Sequence, residues 1–213
     1  MSQVTVVDYG RGNLFSVRHA LEACGADVTV TEDPAAIASA DRLVLPGVGA
    51  FGDAAQELRN RGHFDAINEY FLADRPFLGI CVGMQLLLEA SEEFGVHPGF
   101  GLVAGHVVAI PPVAPNGNHK RVPHIGWFPV TPVDDGRPWE GPLLEGTAPM
   151  TPFYFVHSFT AEPVEAANRL ADTDYDGLTI SAAIAHGNVF ATQFHPEKSG
   201  PEGLNVLRNF LSL

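Results

Sequence analysis

FLGICVGMQLLLE, residues 77–89, is an apolar run that meets a cysteine between two glycines and continues into a segment that reads as a helix over Met84–Glu89. Phe77 to Ile80 has the length of a buried strand, and Gly79-Ile80-Cys81-Val82-Gly83 fits a G-x-C-x-G nucleophile elbow. The glycines let the chain turn sharply enough to push a thiol out of the sheet, and a helix N-terminus beneath it favours the thiolate. The amide of Val82 is then free to bind an oxyanion. A lone cysteine is more often a small buried hydrophobe, and Cys24, on a helix face, keeps that reading.

Working outward toward the N-terminus, Val4 to Val7 reads as a strand and Asn13 to Cys24 as a helix stopped by Gly25. Val28 to Val30 is a second strand, Asp33-Pro34 a helix start, and Arg42 to Leu45 a third strand ending at Pro46. Strands spaced by helical segments imply a parallel sheet covered on both faces, with ligands at the carboxyl ends of the strands. The site is therefore expected near residues 8–13, 46–52 and 81. Toward the C-terminus, Pro and Gly crowd into 111–123 and 129–152, and strand-like runs follow at Phe153–Phe159, Leu178–Ile184 and Asn188–Gln193. His186-Gly187-Asn188 reads as a hairpin turn, and Pro201–Leu211 as a last helix burying Leu204, Leu207 and Leu211. No repeat or long linker divides the chain, so residues 1–213 read as one α/β domain.

A cysteine nucleophile needs a base, and the base an orienting group. His195-Pro196-Glu197 can supply both, because Pro196 restricts His195 to extended conformations and side chains two apart in an extended segment point the same way. In isolation such a tripeptide could be a turn with a solvated glutamate; the elbow in the same chain favours the pair. PGVGAFG, residues 46–52, follows the third strand, and its glycines permit backbone N–H groups to approach a developing negative charge. Rotation of the Gly47–Val48 peptide would present or withdraw one such donor, and Gly47 tolerates that range. A P-loop would need a lysine and Ser/Thr that are absent here, and DYGRGN at 8–13 fits a dinucleotide fingerprint poorly.

The net charge of -13 disfavours nucleic acid and anionic membrane surfaces. His119-Lys120-Arg121, the densest basic spot, reads as a solvated loop. No run approaches a membrane span, the N-terminal MSQVTVVDYG lacks a signal-peptide pattern, and two cysteines suit a reducing compartment, so a cytoplasmic location is expected. His63, His97, His106 and His124 lack metal-ligand spacing, and neither metal nor cofactor is expected.

GICVGMQLL at 79–87, PGVGAFG and HPEKS at 195–199 together resemble the class I (triad) glutamine amidotransferases. DYGRGN, His124-Ile125-Gly126-Trp127 and Tyr154-Phe155-Val156-His157-Ser158-Phe159 are similar to the branch serving as glutaminase subunit of imidazole glycerol phosphate synthase. The resemblance spans residues 4–211. It implies a flavodoxin-like single domain with a mixed, mostly parallel central sheet flanked by helices, and a (β/α)8-barrel cyclase subunit as partner in a heterodimer. There, ammonia joins a ribulosyl-aminoimidazole carboxamide nucleotide in histidine biosynthesis. By motif, Cys81 would be the nucleophile, His195 the base and acid and Glu197 its orienter. Amides of Val48 and Val82 would hold the oxyanion. Gly47, Gly49, Gln85, Glu93, His157 and Ser158 would line the glutamine site, and Asn13, Trp127 and Lys198 would face the partner. Phe128 stands where asparagine is common and Phe159 where tyrosine is common. Two rivals remain: a paralogous glutaminase feeding another synthase, such as one amidinating a cell-surface sugar, and a non-hydrolytic binding or stress protein on a related elbow fold. Proteins of the second kind lack the downstream H-x-E.

Overall fold

The β-branched run near the N-terminus forms β1 (Gln3–Val7), and the capping signals on either side act as read. Asn13 accepts the Ser16 amide at 3.3 Å to start α1 (Leu14–Ala23), and Gly25, at φ 91°, follows its end. Asp33 caps α2 (Pro34–Ala38) through the Ala35 amide, with Pro34 in the first turn. The structure, a computed structural model, describes residues 2–115, 117–133, 139 and 142–213. Part of the Pro/Gly-rich stretch at 129–152 lies outside them.

The remaining described strands are β2 (Asp27–Thr31), β3 (Leu43–Gly47), β4 (Phe77–Cys81), β5 (Leu88–Ser91), β6 (His97–Pro98) and β7 (Val103–Ala109), followed by β8 (His124–Pro132) and β9 (Thr151–His157). They continue with β10 (Phe159–Pro163), β11 (Arg169–Tyr175), β12 (Leu178–His186) and β13 (Val189–Thr192). The large sheet runs β2-β1-β3-β4-β13-β12-β11-β8-β9. Pairing is parallel from β2 through β13 and antiparallel from β13 to β9. A second sheet, β10-β7-β5-β6, stands beside it. α3 (Phe51–Asn60), α4 (His63–Leu72) and α6 (Gly200–Leu211) complete the helical cover. Every residue of β3, β4 and β13 is buried, as expected of central strands covered on both faces. The ends of β1, β3, β4 and β13 therefore converge on one edge. Among the described residues no helix is long and apolar enough to cross a membrane.

Three local expectations are corrected. The helix after Cys81 is a single turn, α5 (Val82–Gln85), and Leu88 already belongs to β5. Leu86, Leu87 and Leu88 are all buried, so the run has no solvent face, and their carbonyls accept bonds from Phe100, Val103 and Gly101 respectively. In α6 the buried face is Gly203, Val206, Leu207, Phe210 and Leu211, with Leu204 only half-buried. Lys120 is buried rather than solvated: its Nζ lies 5.5 Å from the Tyr175 ring centroid and 3.5 Å from the Tyr175 carbonyl, to which it donates. The His186-Gly187-Asn188 hairpin forms as read, with Gly187 at φ 58° between β12 and β13.

Candidate active site

Cys81 sits at φ 55°, ψ -108°, a left-handed conformation that a residue with a Cβ adopts only under constraint. The flanking glycines are required by packing. A Cβ on Gly83 would lie 1.9 Å from the Leu45 carbonyl oxygen, and one on Gly79 would lie 2.7 Å from the Gly83 carbonyl oxygen. The one-turn helix is thus pressed directly against β3 and β4, holding the thiol at the carboxyl edge of the sheet.

Beside it, β13 delivers His195, whose Nδ1 donates to Glu197 Oε1 at 2.8 Å. Both side chains are almost fully buried. The pair forms across a 3-10 turn, Pro196–Lys198, rather than along a continuing strand. Three bonds fix that turn: the His195 amide to the Tyr154 carbonyl at 2.9 Å, Ser199 Oγ to the His195 carbonyl at 2.7 Å, and the Lys198 amide to the same carbonyl at 3.0 Å. Burial alone pulls the imidazole down, but the neighbouring Cys81 sulfur and the hydrogen-bonded, charged Glu197 overcome it and hold His195 up at about 9. Its Nε2 is buried without a closed hydrogen bond, leaving that nitrogen for a reacting group.

These groups open on a cavity of about 310 Å³. Its walls include Val48, Gly49, Cys81, Val82, Gln85, Glu93, His157, Ser158, His195 and Lys198, ten of the fourteen residues singled out in the sequence. Gly47 and Glu197 stand behind this wall, Asn13 caps α1, and Trp127 lies on β8 with 54% of its surface exposed. Gly47 owes its identity to space: a Cβ would meet Tyr9 Oη at 2.7 Å and Val82 Cβ at 2.8 Å. Its φ is not in the left-handed region, whereas Gly49 has φ 91°. Glu93 Oε2 accepts the Phe51 amide at 2.6 Å, capping α3, which has no side-chain cap of its own, and anchoring the far end of the glycine loop.

Phe159, which stands where tyrosine is common, lies in the cavity wall, and three further contributors were not assigned to the site from the sequence. Pro123 and Val156 complete the lining. The third is His124: its Nδ1 donates to His157 Nε2 at 2.8 Å, while His157 Nδ1 donates to the Phe159 carbonyl at 2.8 Å. Burial lowers both rings, His124 to about 3 and His157 to about 4, so this pair is neutral where His195 is cationic. Tyr9 Oη is buried and unpaired beside Gly47, and burial raises its hydroxyl further above the usual phenol range. Among the described residues no cluster of metal-ligating side chains occurs.

A strained thiol, a buried imidazole–carboxylate pair and a glycine loop around one small cavity have the makings of a thiol-dependent acyl-transfer enzyme on an α/β scaffold. Comparison with known proteins narrows this. The sequence profile of glutamine amidotransferase class-I matches residues 5–213. A Legionella pneumophila (strain Lens) protein named imidazole glycerol phosphate synthase subunit HisH 1 is 46% identical over 213 residues, covering 100% of both chains. A HisH subunit of that synthase from Syntrophotalea carbinolica is 45% identical, covering 97% of this chain and 98% of its own. In fold, the chain is similar to a structure of PurLQS from Thermotoga maritima, at TM-score 0.72 and 21% identity, covering 100% of this chain and 99% of that one. The chain belongs to the class I glutamine amidotransferase family, whose members are glutamine-hydrolysing enzymes.

Proposed function

We propose that this chain is the glutaminase subunit of an imidazole glycerol phosphate synthase, hydrolysing glutamine and delivering ammonia to a (β/α)8-barrel cyclase subunit in the cytoplasm. The observation that carries the glutaminase reading is the meeting of Cys81, at its positive φ, with the His195–Glu197 pair at one cavity. The choice of synthase rests on the full-length HisH relatives.

In this reading the Cys81 thiolate attacks the side-chain amide carbon of glutamine, and amides of Val48 and Val82 hold the oxyanion. The His195 imidazolium gives its proton to the departing nitrogen, the C–N bond breaks, and ammonia and a thioester result. Neutral His195 then takes a proton from water as hydroxide adds to the thioester, the C–S bond breaks, and glutamate leaves. Glu197 keeps the ring in the tautomer that directs Nε2 at the reacting atoms. Gln85, Glu93, His157 and Ser158 hold the amino-acid end of glutamine, with Gly47 and Gly49 shaping the oxyanion side. Ammonia released into water would become ammonium and lose nucleophilicity, so it has to pass directly to the second subunit. Exposed Trp127 and Ile125 on β8, with exposed Lys198 at the cavity rim, favour docking on this face. Asn13, at the same edge of the sheet, is assigned to it as well.

The test is reconstitution. Mixed with a cyclase subunit, the chain is expected to support glutamine-dependent formation of imidazole glycerol phosphate. Glutamine hydrolysis without that product, but with transfer of ammonia to the acceptor of another synthase, would instead assign it to a paralogous pathway. No hydrolysis in any pairing would exclude a glutaminase.

A further inference from the structure

Gln193 has no part in the chemistry described so far, yet its side chain reaches the reactive sulfur. It follows β13, is fully buried, and is held at the backbone by its amide bond to the Ala182 carbonyl at 2.9 Å. Its Nε2 lies 3.6 Å from Cys81 Sγ.

The two ends of a glutamine amide have the same shape, so the bonding network has to say which end faces the sulfur. A backbone carbonyl settles it. The Phe159 oxygen can only accept, so the end of the Gln85 amide 3.1 Å away is its NH2. That same nitrogen lies 3.0 Å from the Gln193 amide, so the facing end of Gln193 is its oxygen. The opposite end of Gln193, its NH2, therefore points at Sγ. Reversing Gln85 would set acceptor against acceptor at the Phe159 carbonyl, and reversing Gln193 would set donor against donor at Gln85.

We propose that Gln193 is a further catalytic residue, a donor locked in one orientation by Gln85 and Phe159 that stabilises negative charge on the Cys81 sulfur. It rests on the reading of Cys81 as the nucleophile. Its contribution is greatest when the sulfur is a thiolate: before attack, and again when the C–S bond of the thioester intermediate breaks and the electron pair returns to sulfur. In the thioester itself the sulfur is neutral and the bond is weak. The imidazolium of His195 supplies charge; Gln193 supplies a fixed dipole that does not change protonation state during the cycle.

The experiment measures iodoacetamide alkylation of Cys81 in the full chain without glutamine, between about pH 5 and 9, with mass spectrometry separating Cys81 from Cys24. Gln193→Leu is expected to move the midpoint of the alkylation curve upward by about one pH unit, a tenfold loss of thiolate at pH values well below the wild-type midpoint. Gln193→Glu, of nearly the same size, is expected to move it at least as far, because a carboxylate then faces the sulfur. Gln85→Leu, which frees the lock, is expected to move it in the same direction by less. Thermal unfolding establishes that each variant is folded. A folded Gln193 variant with the wild-type midpoint overturns the proposal; should neither Gln193 variant fold, an unshifted Gln85→Leu curve does so. The Cys81 reading fails separately, if alkylated wild-type protein keeps its glutaminase activity.

Discussion

Gly83→Ala should cost the enzyme its activity before it costs the protein its fold. The added Cβ would sit 1.9 Å from the Leu45 carbonyl oxygen, and β3 has to separate from the elbow by about 1.1 Å before the contact reaches 3.0 Å, the closest a Cβ packs. Leu45 is fully buried and paired in the sheet with Gly79, so the strand cannot yield and the elbow does. Overpacking of this kind costs roughly 1–3 kcal/mol of stability. Two residues away, Cys81 is carried with the shift, and a displacement on the order of 1 Å at a reacting atom costs roughly a hundredfold in rate. The assay is glutamate release by the cyclase complex, with melting temperature measured on the same samples. Gly25→Ala is the control: its φ of 91° makes alanine strained, but nothing lies within 4 Å of the new Cβ and the site is untouched. It should lose about 1 kcal/mol while keeping its rate. Gly83→Ala with wild-type turnover would refute the packing account of the elbow.

Lys198→Glu, at the cavity rim and 5.9 Å from the Tyr154 ring, should weaken association with the cyclase or uncouple hydrolysis from synthesis; unchanged titration and coupling would return it to a solvated surface lysine. If rotation of the Gly47–Val48 peptide gates the oxyanion site, the isolated chain should hydrolyse glutamine at least ~100-fold more slowly than the nucleotide-loaded complex, the cost of one missing donor. Equal rates would remove the switch. Acid stability should fall below the ordinary histidine range, because unfolded His124 and His157 take up protons near pH 6.5 while the folded rings resist until about 3 and about 4. Each ring costs at most about 1.4 kcal/mol per pH unit in that window. His195 acts oppositely: its stabilisation is present below about 6.5 and is lost as pH rises through about 9. Melting temperatures of His124→Gln between about pH 4.5 and 6.5 should show a shallower slope than wild type; an identical slope would contradict the neutral pair.

The parallel half of the sheet was legible because β1, β3 and β4 are β-branched or apolar runs punctuated by glycine and proline, and that pattern carries the carboxyl-edge site with it. Reading the elbow and the H-x-E pair required only local geometry. Beyond β4 the signals fade for physical reasons. The leucines at 86–88 suit helix and buried strand equally, and only their pairing with residues 100–103 decides between them. Lys120 looks solvated until Tyr175, far along the chain, covers it. Glu93 and His157 became candidates through the family resemblance, since their partners Phe51 and His124 lie 42 and 33 residues away. Gln193 did leave a local trace, lying two positions before His195, but its contact with Cys81 spans 112 residues and appears only in three dimensions.

The central claim is that the Cys81 thiol releases ammonia that the partner consumes. It is tested most directly by Cys81→Ala in the assembled synthase, assayed for imidazole glycerol phosphate with glutamine and, separately, with an ammonium salt. The account predicts no synthesis from glutamine and undiminished synthesis from ammonium, because the cyclase chemistry does not use the thiol. Glutamine-driven synthesis surviving in Cys81→Ala would contradict it.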